Sequence, residues 1–163
     1  MTGSRPDWRV GWGLDVHQLG GEPPILLAGV EVDLQRGVIA TSDGDVVAHA
    51  VADALLGAAT LGDLGTFFPS SDPKWENADS MGLLRRVVEM ADSAEWQPSF
   101  CDVTAISESV RVAPFREKVR AALAGALGVS VGQVSVKATT TDGLGWIGRD
   151  QGIAAVAAVT VVR

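Results

Sequence analysis

Trp8-Arg9-Val10-Gly11-Trp12-Gly13-Leu14-Asp15-Val16-His17 alternates without a break. Trp8, Val10, Trp12, Leu14 and Val16 share one side, and Arg9, Gly11, Gly13 and Asp15 share the other, the period of a half-buried β-strand. With the bulky side taken as the packed one, the glycine side is left open. Asp15 and His17 then end that open side, where the strand runs into a loop.

The chain has one other histidine. His49 closes Ser42-Asp43-Gly44-Asp45-Val46-Val47-Ala48-His49, which has the form of a helix start, with Ser42 or Asp43 as N-cap and acid in the first turn. The helix is predicted to reach about Leu61 and to bury Val47, Ala50, Val51, Ala54, Leu55 and Ala58. His49 lies beside that stripe, and the i, i+4, i+8 spacing aligns it with Asp45 and Asp53. Where this helix meets the end of the first strand, two imidazoles and several carboxylates converge.

Working outward, Gly20-Gly21-Glu22-Pro23-Pro24 is a turn cluster and Ile25 to Val32 reads as a second strand. Residues 62–78 form a long loop, the kind that usually carries function. A helix over Ser80 to Ala94 repeats Leu84, Val87, Val88 and Ala91 at helical spacing. A strand follows near Phe100 to Glu108. Pro114 opens a third helix, which stops at Gly128. Val134 to Thr139 alternates as another strand, and Ile153 to Val162, apolar on both faces, reads as a fully buried one. The fold class is α+β: a mixed sheet of roughly five strands with three helices packed on one face. Residues 8–163 form a single domain behind a flexible tail at 1–7.

At 163 residues the chain suffices for one core. It contains no apolar run long enough to span a membrane. The head, Met1 to Asp7, lacks the apolar stretch of a signal peptide, and the lone Cys101 cannot form an internal disulfide, so a cytoplasmic location is expected. The net charge of −7 argues against a nucleic-acid partner, because neutralising phosphates needs a basic surface. A small phosphorylated ligand remains possible if metal ions, helix N-termini and a few arginines hold it.

Asp15, His17 and His49 make a two-imidazole, one-carboxylate set, which leaves a fourth position of a tetrahedral Zn²⁺ open. The same residues also suit a turn cap and a solvated helix face. Lys137-Ala138-Thr139-Thr140-Thr141-Asp142-Gly143-Leu144-Gly145 ends a strand with three hydroxyls and an acid, able to meet phosphate and a hard cation, or merely to form a turn. Arg111 and Arg149 sit beside expected strand ends, and Trp146 can stack on a ring or pack in a core.

Together, Gly11 to His17, Ser42 to Ala50, Asp53 to Ala59, Leu61 to Gly65, Phe68-Pro69 and Lys137 to Asp142 resemble the 2-C-methyl-D-erythritol 2,4-cyclodiphosphate synthase family in order and spacing. The resemblance covers nearly the whole chain. It implies a homotrimer with active sites at subunit interfaces, Zn²⁺ on Asp15, His17 and His49, and Mg²⁺ or Mn²⁺ on Asp142. The implied reaction converts 4-diphosphocytidyl-2-C-methyl-D-erythritol 2-phosphate to the cyclic diphosphate and CMP. Thr41 and Thr140 match catalytic positions at the reacting phosphates. Ser42, Asp63, Leu64, Gly65 and Phe68 match substrate contacts, as do Ser107, Arg111, Val112 and Ala113 of the cytidine segment 107–113. So do Thr139, Thr141, Trp146 and Arg149, while Asp45 and Asp53 stand behind the metal ligands. The helix N-terminus near Ser42 would help to hold the polyanion, and contact with the upstream cytidylyltransferase is a further implied partnership.

Departures from the family pattern are Thr41 for a common histidine, Ser70-Ser71 for Asp-Thr, Val110-Arg111 for Pro-Lys, Ile147 for threonine and Gln151 for glutamate. Two rival functions keep the same residues: a metal-dependent phosphohydrolase, and a catalytically silent trimeric binding protein. The first would yield open-chain products, and the second no turnover at all.

Overall fold

The computed structural model describes residues 7–163. In it the opening strand is longer than its alternation predicts: β1 spans Trp8–Gly21 and pairs antiparallel with the final strand β7, Gly152–Val162. Three more strands complete a five-stranded mixed sheet in the order β4-β1-β7-β5-β6, with β4 at Gly37–Ile39, β5 at Gln97–Ile106 and β6 at Val134–Thr139. Only the β5–β6 pair is parallel. Its crossover contains helix α4, Arg116–Leu127, as parallel neighbours require. Residues 1–6 of the expected tail lie outside the described residues. Asp7 is tied to the other end of the chain, accepting from Arg163 Nε at 3.0 Å.

The expected strand from Ile25 to Val32 is a hairpin instead. β2, Ile25–Leu27, and β3, Val30–Asp33, are joined through Ala28 and Gly29, both at positive φ. A two-residue loop of that hand matches the twist of the strands it joins. The loop at 62–78 carries a one-turn helix α2, Leu64–Phe67, and a 3₁₀ turn at Pro73–Trp75. A second one-turn helix, α5, occupies Gly145–Gly148.

The helices do pack on one face. α1, Val46–Ala58, lies across β1 and β7, and α3, Ser80–Ser93, packs against α1. Leu55, Val51, Leu84, Val87, Leu123, Val103 and Ile153 are buried between these layers. Among the described residues no helix is long and apolar enough to cross a membrane. Cys101 is buried, and burial together with the Asp102 charge pushes its thiol up to about 12, so it is inert as a nucleophile.

The period of β1 is as read from the sequence, but its sides are reversed. Gly11 and Gly13 face α1, whereas Trp8, Val10, Trp12, Leu14 and Val16 point away from the helices and are 42–64% exposed. The cause is the closeness of α1. A Cβ on Gly11 would lie 1.8 Å from Ala54 O, and one on Gly13 would lie 2.1 Å from Ala50 O. No side chain fits between helix and strand there, so the bulky residues must turn outward. β7 is likewise covered on one face only: Ala155, Ala157 and Val159 are buried, while Val156, Ala158 and Thr160 on the outer face are half-buried.

Candidate metal centre

The glycine contact sets the site. Asp15 and His17 follow Gly13 on the same face of β1, and α1 rests on Gly13 through Ala50, the residue after His49. His49 is thereby carried down onto the strand end. Asp15 Oδ2 lies 2.9 Å from His49 Nδ1 and 3.0 Å from His17 Nε2, and the two ring nitrogens are 3.4 Å apart. The rings meet edge to face, with centroids 5.5 Å apart.

This donor set fits a metal ion. A tetrahedral cation with bonds of about 2.0–2.2 Å keeps its ligand atoms roughly 3.3 Å apart, which the 3.4 Å between the ring nitrogens matches, while the Asp15 contacts at 2.9 and 3.0 Å are slightly shorter. Either ring protons shared with Asp15 or a bound cation relieves the repulsion among three donor atoms this close. Among the described residues no other histidine, cysteine or acidic group of three converges in this way. Burial pushes the Asp15 carboxyl up, but hydrogen bonds and charge from His17 and His49 outweigh it and hold the group well below the usual carboxylate range. His49 shows the reciprocal pattern: burial opposes its charge, and Asp15, then Asp45 and Asp43, raise its affinity for a proton. The site attracts positive charge.

A cavity of about 310 Å³ opens beside the triad. It gathers Thr41, Ser42, Asp53, Leu64, Gly65 and Phe68, all of which the sequence singled out. It also takes in Ser70, noted only as a departure from the family pattern, and Trp75 and Leu83, which the sequence did not single out. Trp75 stands edge-on to Phe68 at 4.9 Å between centroids. Asp53 accepts from Leu64 N at 2.7 Å and so fixes the loop that forms one wall; burial raises its carboxyl against that bond. Asp63 is exposed and caps α2, accepting from Thr66 N at 2.9 Å.

Two expectations are corrected here. Asp45 does not share a stripe with His49, because it is the N-cap of α1 and its carboxylate is spent on the amides of Val47, Ala48 and Gly29. Gly44, at positive φ, delays the helix start from Ser42 to Val46. For the same reason the α1 N-terminus is no anion site near Ser42, since Asp45 already satisfies its first free amides. Ser42 contributes a hydroxyl, not a helix end.

The remaining candidates form a second group. Ser107, Arg111, Val112, Ala113, Thr139 and Thr140 surround a separate cavity of about 170 Å³. Ser107 N donates to Thr139 O at 3.1 Å, which joins the two segments. Asp142 sits at positive φ with Thr140 Oγ1 3.2 Å from its carboxylate, and Thr141 donates to Leu144 O at 2.8 Å. Trp146 covers Gly152, where a Cβ would lie 2.6 Å from the indole ring, and it borders a third cavity with His17 and Gln151. Arg111 and Arg149 are exposed. Arg36, unremarked in the sequence, instead braces the 107–113 segment by donating to Ser109 Oγ at 2.6 Å. β7 and β5 separate β1 from β6, three strand spacings or about 14 Å, so the triad cavity and the 107–113 cavity stay apart within one chain, and of the second group Trp146 reaches a cavity lined by His17.

The YgbB family model matches residues 8–162. The 2-C-methyl-D-erythritol 2,4-cyclodiphosphate synthase of Salinibacter ruber is 50% identical over 153 residues, 94% of this chain and 98% of that one. The bifunctional IspDF of Campylobacter jejuni superposes with a TM-score of 0.94 at 37% identity, covering 97% of this chain and 43% of that one. The IspF–CDP complex of Plasmodium falciparum superposes with a TM-score of 0.83 at 26% identity, covering 98% of each chain.

Proposed function

Because this chain belongs to the YgbB family, with the 2-C-methyl-D-erythritol 2,4-cyclodiphosphate synthases, we propose that it converts 4-diphosphocytidyl-2-C-methyl-D-erythritol 2-phosphate to the 2,4-cyclodiphosphate and CMP. The observation that carries this reading is the convergence of Asp15, His17 and His49 on the wall of a cavity sized for a phosphorylated polyol. We assign Zn²⁺ to these three residues and Mg²⁺ or Mn²⁺ to Asp142. When bound, the two ions supply Lewis acidity and offset the charge of the diphosphate.

The protein's own groups do the rest by positioning. In the reaction an oxygen of the 2-phosphate bonds to the β-phosphorus, and the bond from that phosphorus to the oxygen bridging to the α-phosphorus breaks. CMP leaves with the bridging oxygen. The attacking oxygen is already ionised, so no general base is needed. Thr41 and Ser42 present hydroxyl donors at the cavity, and Thr41 fills the histidine position with a neutral donor. Phe68, Leu64 and Trp75 exclude water and favour a folded, ring-closing substrate. Thr139, Thr140, Arg111 and Arg149 serve the nucleotide and its phosphates.

The metal group of one chain would complete its site with the nucleotide group of a neighbour in a homotrimer. The outward apolar side of β1, continued by Phe100 and Val162, supports this, since a monomer rarely leaves so large a patch uncovered. The CDP complex of the Plasmodium protein supports a cytidine pocket at 107–113. The bifunctional Campylobacter protein supports contact with the upstream cytidylyltransferase. We place the enzyme in the cytoplasm, where a lone buried thiol stays reduced.

Mixing tests the shared site. His49→Ala and Asp142→Ala proteins should each release almost no CMP, whereas co-refolded mixtures should regain up to about a quarter of the parental rate, the share of interfaces that pair two intact halves. Mixtures no more active than the single variants would place the whole site within one chain.

A further inference from the structure

His49 has a second ring nitrogen, and it is held as deliberately as the first. Nε2 lies 2.8 Å from Ser80 Oγ, and Ser80 is 1% exposed at the start of α3. Ser80 Oγ in turn hydrogen-bonds Asp43 Oδ1, and Ser80 N donates to Asp43 Oδ2 at 3.0 Å. Asp43 N donates to Ala78 O and Asn77 N to Thr41 O, so the segment before α1 is laced to the loop before α3. Ser42 Oγ is a more distant neighbour of Nε2, at 3.3 Å, and accepts from Gly44 N.

Along the shorter contacts proton counting has one solution, with the Ser42 hydroxyl at 3.3 Å as the weaker, competing partner of Nε2. An ionised Asp43 can only accept, so the single hydroxyl proton of Ser80 goes to Asp43. Ser80 Oγ then has only lone pairs to offer His49, so Nε2 must carry a proton and donate it. A metal-bound imidazole is neutral and has one N–H, so with Nε2 protonated Nδ1 is the lone pair left for the metal. Nδ1 is the atom that faces Asp15 and His17.

We propose that Asp43 and Ser80 are positioning residues that fix the tautomer and ring orientation of His49, committing Nδ1 to the metal. The proposal rests on the metal reading above and adds to it which groups outside the triad make the site competent. Metal-bound histidines gain orientation and basicity from partners of this kind, whose loss costs about 10- to 100-fold in metal affinity. It also gives the loop at 62–78 a link to the metal, because α3, which carries Ser80, begins directly after that loop.

Asp43→Asn is the sharpest probe. Two amides compete for the asparagine carbonyl, Ser80 N at 3.0 Å and Asp45 N at 3.3 Å; holding the closer one turns the NH₂ toward Ser80 Oγ, to which it donates. The Ser80 proton is then turned toward His49, which favours the tautomer protonated at Nδ1, the wrong one for the metal. A comparable carboxylate-to-amide change in serine proteases keeps the geometry but traps the wrong tautomer.

The experiment is competition for Zn²⁺ against a chromophoric chelator, together with ¹⁵N NMR of the zinc-loaded full-length protein. In the parent, His49 should show a metal-bound Nδ1 and a protonated Nε2. Ser80→Ala and Asp43→Asn should bind Zn²⁺ about 10- to 100-fold more weakly, with Ser80→Thr restoring most of the loss because it returns the hydroxyl. Thermal unfolding of the metal-free proteins identifies any variant that has merely lost its fold. Wild-type zinc affinity in both Ser80→Ala and the Ser42→Ala/Ser80→Ala double variant, or a parent with metal on Nε2, would overturn the assignment. A parent that takes up no Zn²⁺ would overturn the metal reading and this assignment with it.

Discussion

Gly13→Val should leave little folded protein. The first atom of any side chain at Gly13 would lie 2.1 Å from Ala50 O and 2.7 Å from Ala54 N, both backbone atoms of α1. Neither can rotate aside, so the helix must lift off β1 along its length. Forcing extra methylenes into a packed core costs about 1–3 kcal/mol even where side chains can yield. Here a loss above about 4 kcal/mol is expected, a large share of the stability of a domain this size. Thermal unfolding followed by circular dichroism should report a collapse of the transition or aggregation on expression. Gly57→Ala is the matched control: a Cβ there meets nothing within 4 Å, and alanine should stabilise the helix by about 0.5–1 kcal/mol. If Gly13→Val unfolds like the parent, the close seating of α1, and with it the placement of His49, is wrong.

The second large effect is electrostatic. Asp15→Asn keeps the shape of the side chain but removes the charge shared by both histidines, whose rings it meets at 2.9 and 3.0 Å. The variant should keep its helix content, lose most bound Zn²⁺ and fall in kcat by about 10³-fold, the equivalent of about 4 kcal/mol of lost transition-state stabilisation. Metal analysis alongside steady-state CMP release checks it. Full activity with metal absent would remove the triad from the chemistry.

What the sequence could and could not tell follows from these same residues. Alternation in Trp8 to Val16 identifies which side chains share a face, because the strand period is a local property. It does not identify which face is inward. Bulk is the usual guide and here it misleads: the inward side is chosen by what α1 can approach, and Gly11 and Gly13 meet Ala54 and Ala50. A readable signal was present, since alanines at 50, 54 and 58 repeat at i, i+4 and i+8 opposite a Gly-x-Gly strand. Asp15 and His17 were legible as a pair from strand spacing, whereas His49 was only a candidate third ligand, because it reaches them through the seating of α1 on Gly13. The start of α1 was not legible, because Ser42, Asp43 and Asp45 are all good caps and only the positive φ of Gly44 decides among them. Ser80 was invisible for a different reason. It lies 31 residues from His49 and meets it only through the packing of α3 against α1. The hydroxyls and acid of 139–142 were legible as a phosphate or cation candidate, whereas the cytidine role of 107–113 came from resemblance, because that stretch carries little chemical signal beyond Arg111.

CMP release alone does not separate a cyclase from a phosphohydrolase, because water attacking the β-phosphorus also expels CMP. Phosphorus NMR of the reaction with 4-diphosphocytidyl-2-C-methyl-D-erythritol 2-phosphate, Zn²⁺ and Mg²⁺ separates them directly. A cyclase should yield one CMP for each molecule of a cyclic diphosphate, with two coupled phosphorus signals, and stop completely when chelator is added. CMP accompanied by open-chain phosphates, or unchanged substrate in the presence of fully zinc-loaded protein, would contradict cyclase activity.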